Sequence, residues 1–210
     1  GEPRQADPGN ALKARIVDRH RLNDGLGLIQ VRPLAGPCPE FVAGQYISIA
    51  IPERRRFGQP LGKSEIAVAE LTWRSYSISS AADTSEHREL LVSRVPLGQV
   101  SPELCDLAIG SEIWIRKRAR GRLTIEGLAA DRDLVMVSTG TGIAPFASLI
   151  RDPDTYEKFD QVILTHTCRQ VAELKYGEDL VRETIEDPLI GDLAKHKLVH
   201  FTSVTREEFP

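Results

Sequence analysis

"DLVMVSTGTGIAPFASLIRD", Asp133 to Asp152, is the stretch on which the fold turns. "DLVMVS" is a continuous apolar run, as expected of a strand covered on both faces. Gly140 and Gly142 follow, and "IAPFASLIRD" then takes up helical spacing. Strand, tight turn and helix in that order open a parallel α/β unit. "QVILTHT", "VAELKYGEDLVRETIED" and "KLVHFTSV" continue it as strand, helix and strand. That gives about three strands where nucleotide-binding sheets of this kind usually have about five or six. "TREEFP" comes directly after the last of them, so the expectation is a truncated α/β domain.

The texture upstream is different. Short runs broken by Gly and Pro predict strands at "LKARIVDRH", "LGLIQVRPL", "QYISIAIP", "RSYSISS", "ELLVSRV", "SEIWIRK" and "GRLTIEG". Many short strands with turn residues between them imply a closed antiparallel barrel or a sandwich. One helix is expected at "SPELCDL", with Ser101 as N-cap and Pro102 at the first helical position. The change of texture near Leu128 to Arg132 divides the chain into 11–128 and 129–210.

Composition narrows the class. A chain of 210 residues holds one large domain or two small ones. Charged residues at 27% and hydrophobic residues at 41% are ordinary for a soluble globular protein. A net charge of -3 gives no reason to expect nucleic acid as a partner. No run approaches the roughly 18 apolar residues of a membrane span. The start, "GEPRQADPGN", lacks the apolar core of a signal peptide and reads as a disordered lead. Cys38, Cys105 and Cys168 are odd in number and far apart, with neither a disulfide framework nor zinc spacing, so a reducing cytoplasm is expected. His196 and His200 are four apart, but "KHKLVHF" reads as a strand entry and no metal site is expected there.

Several residues carry possible chemistry. In "VSTGTGIAP", Val137 to Pro145, the two glycines allow a tight turn and close approach of a ligand to the backbone. The following helix start offers free N–H groups to a pyrophosphate. The Lys-Ser/Thr ending of a P-loop is absent, which argues against ATP hydrolysis, and Pro145 replaces the third glycine of G-x-G-x-x-G. Arg169 follows the second α/β strand and Arg206 the third, where a parallel sheet binds ligands. Paired arginines there suit a 2′-phosphate; solvated surface arginines are the plain alternative. In "WRSYSISSA", Trp73 to Ala81, Arg74 can neutralise a phosphate, Tyr76 can lay its ring on an aromatic cofactor and Ser77 can bond a ring nitrogen. Gly98-Gln99-Val100-Ser101 opens the short helix at a second phosphate-compatible position.

"RSYSISS", "GQVS" and "STGTGIAP", in that order, resemble the three signatures of the ferredoxin–NADP reductase superfamily, and "GQYISI" resembles the strand before the first. "STGTGIAPFASLIRDPDTYEKFDQVILTHTCRQVAELKYGEDL" and "VTREEF" look like the bacterial ferredoxin or flavodoxin–NADP reductases. The resemblance runs from about Leu12 onward. It implies a six-stranded antiparallel Greek-key β-barrel for FAD, then a parallel α/β domain for NADP(H). It implies that Arg74 and Gly98 to Ser101 hold the FAD pyrophosphate, Tyr76 stacks on the isoalloxazine and Ser77 bonds near flavin N5. Thr141 would lie between nicotinamide and flavin, within a turn formed by Gly140, Thr141, Gly142, Ile143, Ala144 and Pro145. Arg169 and Arg206 would take the 2′-phosphate, and Ser77, Tyr76 and Thr141 would be the catalytic positions.

The sequence departs from the family in three places. Pro102 removes one phosphate-facing N–H. The stretch Glu53 to Glu70 is longer than the usual connection before the first signature. The family's last strands, with a Cys-Gly pair near the nicotinamide and a terminal segment over the flavin, have no counterpart. The implied activity is electron transfer between NADPH and ferredoxin or flavodoxin through FAD. Basic clusters at Arg54 to Arg56 and at Arg116, Lys117, Arg118, Arg120 and Arg122 are candidate docking sites for an acidic acceptor, or simply solvated faces. The alternatives are the reductase component of an oxygenase and a non-catalytic flavin-binding electron-transfer module.

Overall fold

The computed structural model describes residues 10–51 and 71–208. The long connection at Glu53 to Glu70, with Arg54 to Arg56, and the first nine residues lie outside the described residues.

Strands β1 (Ala11–Asn23), β2 (Leu26–Pro33), β3 (Tyr46–Ile51), β4 (Thr72–Ser77), β5 (Arg88–Ser93) and β6 (Glu112–Arg116) form one antiparallel sheet. Its order is β4-β3-β6-β1-β2-β5. A bridge between Ile78 and Leu90 joins its two edges and closes the barrel. Alternation drives the closure: Ala14, Ile16, Ile47, Ile49, Leu90, Val92, Ile113 and Ile115 are buried in one cluster while their neighbours face outward. Each buried Ile, Leu or Val among them contributes roughly 1.5–3 kcal/mol. β1 pairs with β6 over Ala11 to Arg15 and with β2 from Ala14 onward, and a register shift between Ile16 and Asp18 bends it. Helix α1 (Ser101–Asp106) plugs the barrel with Leu104.

The second half has β7 (Leu134–Thr139), β8 (Val162–Cys168) and β9 (Leu198–Val204), all parallel, in the order β7-β8-β9. Helices α2 (Ala144–Ile150), α3 (Pro153–Lys158), α4 (Lys175–Glu186) and α5 (Gly191–Lys197) connect them. All four helices contribute to the core cluster that Met136 and Leu164 join. The two-part architecture expected from the sequence is therefore present.

The halves share packing. Along β5, Leu90 and Val92 enter the barrel core while Leu91 enters the α/β core. The Gly44 N–H donates to Ser148 Oγ at 2.7 Å, buried between the halves. Gly44 has φ +93, and a Cβ there would fall 1.8 Å from the Leu123 carbonyl oxygen. Arg151 donates to the Ser79 carbonyl at 2.7 Å and pairs with Glu89 at 3.1 Å.

Three local expectations are corrected. "GRLTIEG" is not a strand; the bridge to Tyr46 is made by Arg120, the residue before it. After the Arg120 bridge, Gly121 turns the chain at φ +130. Ser101 is not the N-cap of α1; Val100 holds that position. The Ser101 hydroxyl instead accepts the Val95 N–H at 3.1 Å, tying down the preceding loop. β7 is not covered on both faces: Val135 and Val137 are 57% and 71% exposed. The helices pack on the face of Met136 and Ser138, which leaves the alternate residues open. His196 lies on α5 and His200 on β9, and the described residues contain no group of three or more metal-ligating side chains.

Candidate functional site

The ends of β4 and β5 come together at the Ile78–Leu90 bridge, beside which the Ser79 N–H donates to the Glu89 carbonyl at 2.8 Å. Beyond it, Arg74, Tyr76 and Ser77 on one side and Leu91, Ser93 and Val95 on the other line a cavity of about 440 Å³. Register explains the wall. Tyr76 is paired with Ile47 and Arg74 with Ile49, so both share the barrel-facing side of the pleat. Tyr76 packs against the barrel cluster, and burial pushes its phenol up to about 12, which keeps it a neutral O–H donor. Arg74 donates to the Trp73 carbonyl at 2.8 Å and to Gln99 Oε1. Gly98, Gln99, Val100 and Ser101 form the end wall. The Gly98 N–H donates to the Val95 carbonyl at 2.7 Å, and a Cβ on Gly98 would come within 3.0 Å of that oxygen and of Ser101 Oγ. Val100 sends its side chain into the barrel core, leaving only its backbone for the cavity.

A second cavity, of about 430 Å³, opens at the carboxyl ends of the parallel strands. Thr139, Gly140 and Thr141 come from the end of β7, and His166, Thr167, Cys168 and Arg169 from the end of β8. Gly140 has φ +49, and a Cβ on Gly140 or Gly142 would meet nothing within 4 Å. The turn thus presents bare backbone beside open space. Ile143, Ala144 and Pro145 are buried and anchor the turn; only Ala144 of the three also lines a cavity, the first.

Arg169 and Arg206 are brought together: the Arg206 N–H donates to the Arg169 carbonyl at 3.0 Å. Arg169 lines the second cavity, whereas Arg206 is exposed and its neighbour Thr205 lines it. Arg169 is engaged. Its guanidinium donates to Glu173 Oε1 at 3.0 Å and its N–H to Oε2 at 2.9 Å. Those bonds hold the Glu173 carboxyl below its ordinary value although burial opposes them. Glu173 escaped the sequence reading, although its i,i+4 spacing from Arg169 was visible. Asn23, Gly25 and Leu26 also line this cavity, from the β1–β2 hairpin. No local signal marks them, because only the packing of the halves brings them there. His166, without any visible partner in the sequence, lies 3.1 Å from the Gly140 carbonyl.

Leu91, Ser93 and Thr141 line both cavities, so ligands in the two would approach each other at Thr141.

Comparison with known proteins gives the family. Residues 40–123 match the oxidoreductase FAD-binding domain family. The flavodoxin/ferredoxin–NADP reductase of Rhodobacter capsulatus is 48% identical over 136 residues, which is 65% of this chain and 50% of that protein. The ferredoxin–NADP reductase of Pseudomonas aeruginosa is 34% identical over 200 residues, covering 95% of this chain and 71% of that one. The chain thus spans about half the length of the first of these relatives. A crystal structure of a ferredoxin NADP+ reductase from Neisseria gonorrhoeae with bound FAD and NADP superposes with a TM-score of 0.76 at 25% identity. It covers 96% of this chain and 71% of that one. By sequence along nearly its whole length, and by the arrangement of its two halves, this chain belongs to the ferredoxin–NADP reductase family.

Proposed function

We propose that this chain binds FAD in the first cavity and NADP(H) in the second and moves electrons between NADPH and a ferredoxin or flavodoxin. The observation that carries the reading is the junction of the two cavities at Leu91, Ser93 and Thr141. It would place two large ligands edge to edge without an intervening side chain larger than threonine or leucine. We assign 11–128 to flavin binding and 129–210 to nucleotide binding.

The donor sets fit these groups. Arg74 and the backbone of Gly98 to Ser101 offer positive charge and N–H donors to a pyrophosphate, although Pro102 offers none. Tyr76 supplies a flat neutral ring, and Ser77 a hydroxyl for a ring nitrogen. The open space at Gly140 and Gly142 accepts a ligand against bare backbone. Arg169 and Arg206 supply charge for a 2′-phosphate. When bound, the cofactors would supply hydride and single-electron chemistry. The chain's own part is to orient and to neutralise: Ser77 holds a hydrogen bond near N5, and Thr141 sets the approach. Among its side chains none needs to act as a nucleophile.

An acidic acceptor protein would dock beside the barrel on Lys117, Arg118, Arg120 and Arg122, which are exposed. Arg116 stacks on Trp73 at 3.7 Å and stiffens the base of this patch. Docking of that kind makes electron transfer fall steeply with salt; rates independent of ionic strength would remove it. Among the described residues no helix is long and apolar enough to cross a membrane. A cytoplasmic setting suits three free cysteines, Cys38, Cys105 and Cys168.

The deciding experiment is an anaerobic visible spectrum of the FAD-loaded chain before and after NADPH. Bleaching with NADPH, and much less with NADH, is expected. A flavin spectrum that persists would limit the chain to flavin binding, and no flavin uptake would refute the assignment of the first cavity.

A further inference from the structure

We propose that His166 is a positioning residue for the turn at Gly140, fixing the peptide that leads into Thr141; this rests on the reading that the second cavity takes NADP(H). His166 stands on β8 in register with Ser138 of β7, two residues before Gly140. The residue is 2% exposed. Nε2 lies 3.1 Å from the Gly140 carbonyl oxygen. A carbonyl can only accept, so the hydrogen bond assigns the proton to Nε2. Nδ1 is buried with no hydrogen-bond partner, which fits a bare ring nitrogen rather than an N–H.

The ring is boxed in on its other side. A Cβ on Gly177 of α4 would fall 2.6 Å from Nδ1, so α4 approaches the imidazole only because residue 177 has no side chain. The Cys168 thiol lies 3.2 Å from Nε2. Burial pushes that thiol up to about 11, so it stays neutral and does not draw the Nε2 proton away from Gly140.

The consequence reaches the cavity through peptide geometry. A planar trans peptide carries its C=O and the following N–H in opposite directions. With the Gly140 carbonyl held toward the imidazole, the Thr141 N–H points away from it. Gly140 opens the 3-10 turn Gly140–Ile143 at φ +49 with a bare Cα, so the imidazole hydrogen bond adds to the turn's own bonds in holding this peptide. A leucine at 166 would fill the space equally well. Only a donor at 166 adds a side-chain bond to the carbonyl.

The test compares His166→Leu, which fills the space without a donor, with His166→Gln, which returns an N–H. NADP+ and 2′-phospho-AMP affinities are measured by calorimetry on the FAD-loaded chain, with thermal stability and flavin content recorded for each variant. His166→Leu should weaken NADP+ roughly tenfold, the worth of about one hydrogen bond. 2′-Phospho-AMP, which engages only the arginine end, should change less than about twofold, and His166→Gln should recover most of the NADP+ loss. Gly177→Ala, which pushes the ring while keeping the histidine, should mimic the loss and covers the case in which His166→Leu fails to fold. Equal NADP+ affinity in folded His166→Leu overturns the inference alone, as does a Gln variant no better than Leu. A wild-type chain that binds 2′-phospho-AMP and NADP+ no better than AMP and NAD+ overturns the NADP(H) reading, and this inference with it.

Discussion

The two cavities are nearly equal in volume, about 440 and 430 Å³, yet they are built from opposite materials. The first is walled by strands of a closed barrel, whose side chains are fixed by register. The second is walled by strand ends and connections. Their arginines differ as well. Arg74 donates to two neutral oxygens, from Trp73 and Gln99, whereas Arg169 donates to the Glu173 carboxylate. Among the described residues, an anion in the first cavity would meet a whole positive charge, and one in the second must share it.

Leu91→Ala should break the comparison most severely, since Leu91 lines both cavities and is buried in the α/β core. A loss of about 2–5 kcal/mol is expected by chemical denaturation; a loss below about 1 kcal/mol would show that the halves do not depend on this contact. Arg74→Ala should raise the FAD dissociation constant by about 10- to 100-fold, from lost charge-assisted bonds, read from flavin retained on gel filtration. Unchanged flavin content would remove Arg74 from the first site. Arg169→Ala should weaken NADP+ about tenfold and leave NAD+ alone, a smaller change because Glu173 already holds the guanidinium. Equal losses for both nucleotides would place Arg169 away from the 2′-phosphate. Glu173→Gln sharpens the contrast: it keeps an acceptor for Arg169 and removes the competing charge. NADP+ should bind a few-fold tighter, and a weaker complex would mean that the carboxylate serves mainly to aim the arginine.

Acid should act on the second cavity first. Burial lowers His166 and His200 below their ordinary value of 6.5, so the folded chain holds both neutral where the unfolded chain takes up protons. Their contribution is complete above about pH 6.5 and declines as pH falls toward the lower folded values. Thermal melts between pH 7.5 and 5.5 should show this decline, with NADP+ affinity lost before FAD affinity. The opposite order would move the acid-sensitive element into the barrel.

The barrel was legible in the sequence because period-two alternation is a local signal, and six of its runs became paired strands. "GRLTIEG" carries the same signal, but Gly121 turns the chain at φ +130 directly after the Arg120–Tyr46 bridge. "DLVMVS" reads as doubly covered because an apolar run does not say which face its helices take. Arg74, Tyr76, Ser77, Thr141 and Arg169 were legible as candidates and now line the two cavities; their roles toward cofactors remain proposals. Asn23, Gly25 and Leu26 were hidden for lack of any motif, and His166 because its partner is a carbonyl. Backbone acceptors are the same at every residue, so no sequence pattern marks that bond.

The alternation of β5 has a thermodynamic consequence. A strand that places Leu90 and Val92 in one core and Leu91 in the other cannot fray without injuring both. The chain has two architectures but one cooperative unit, and heat should melt it in a single transition.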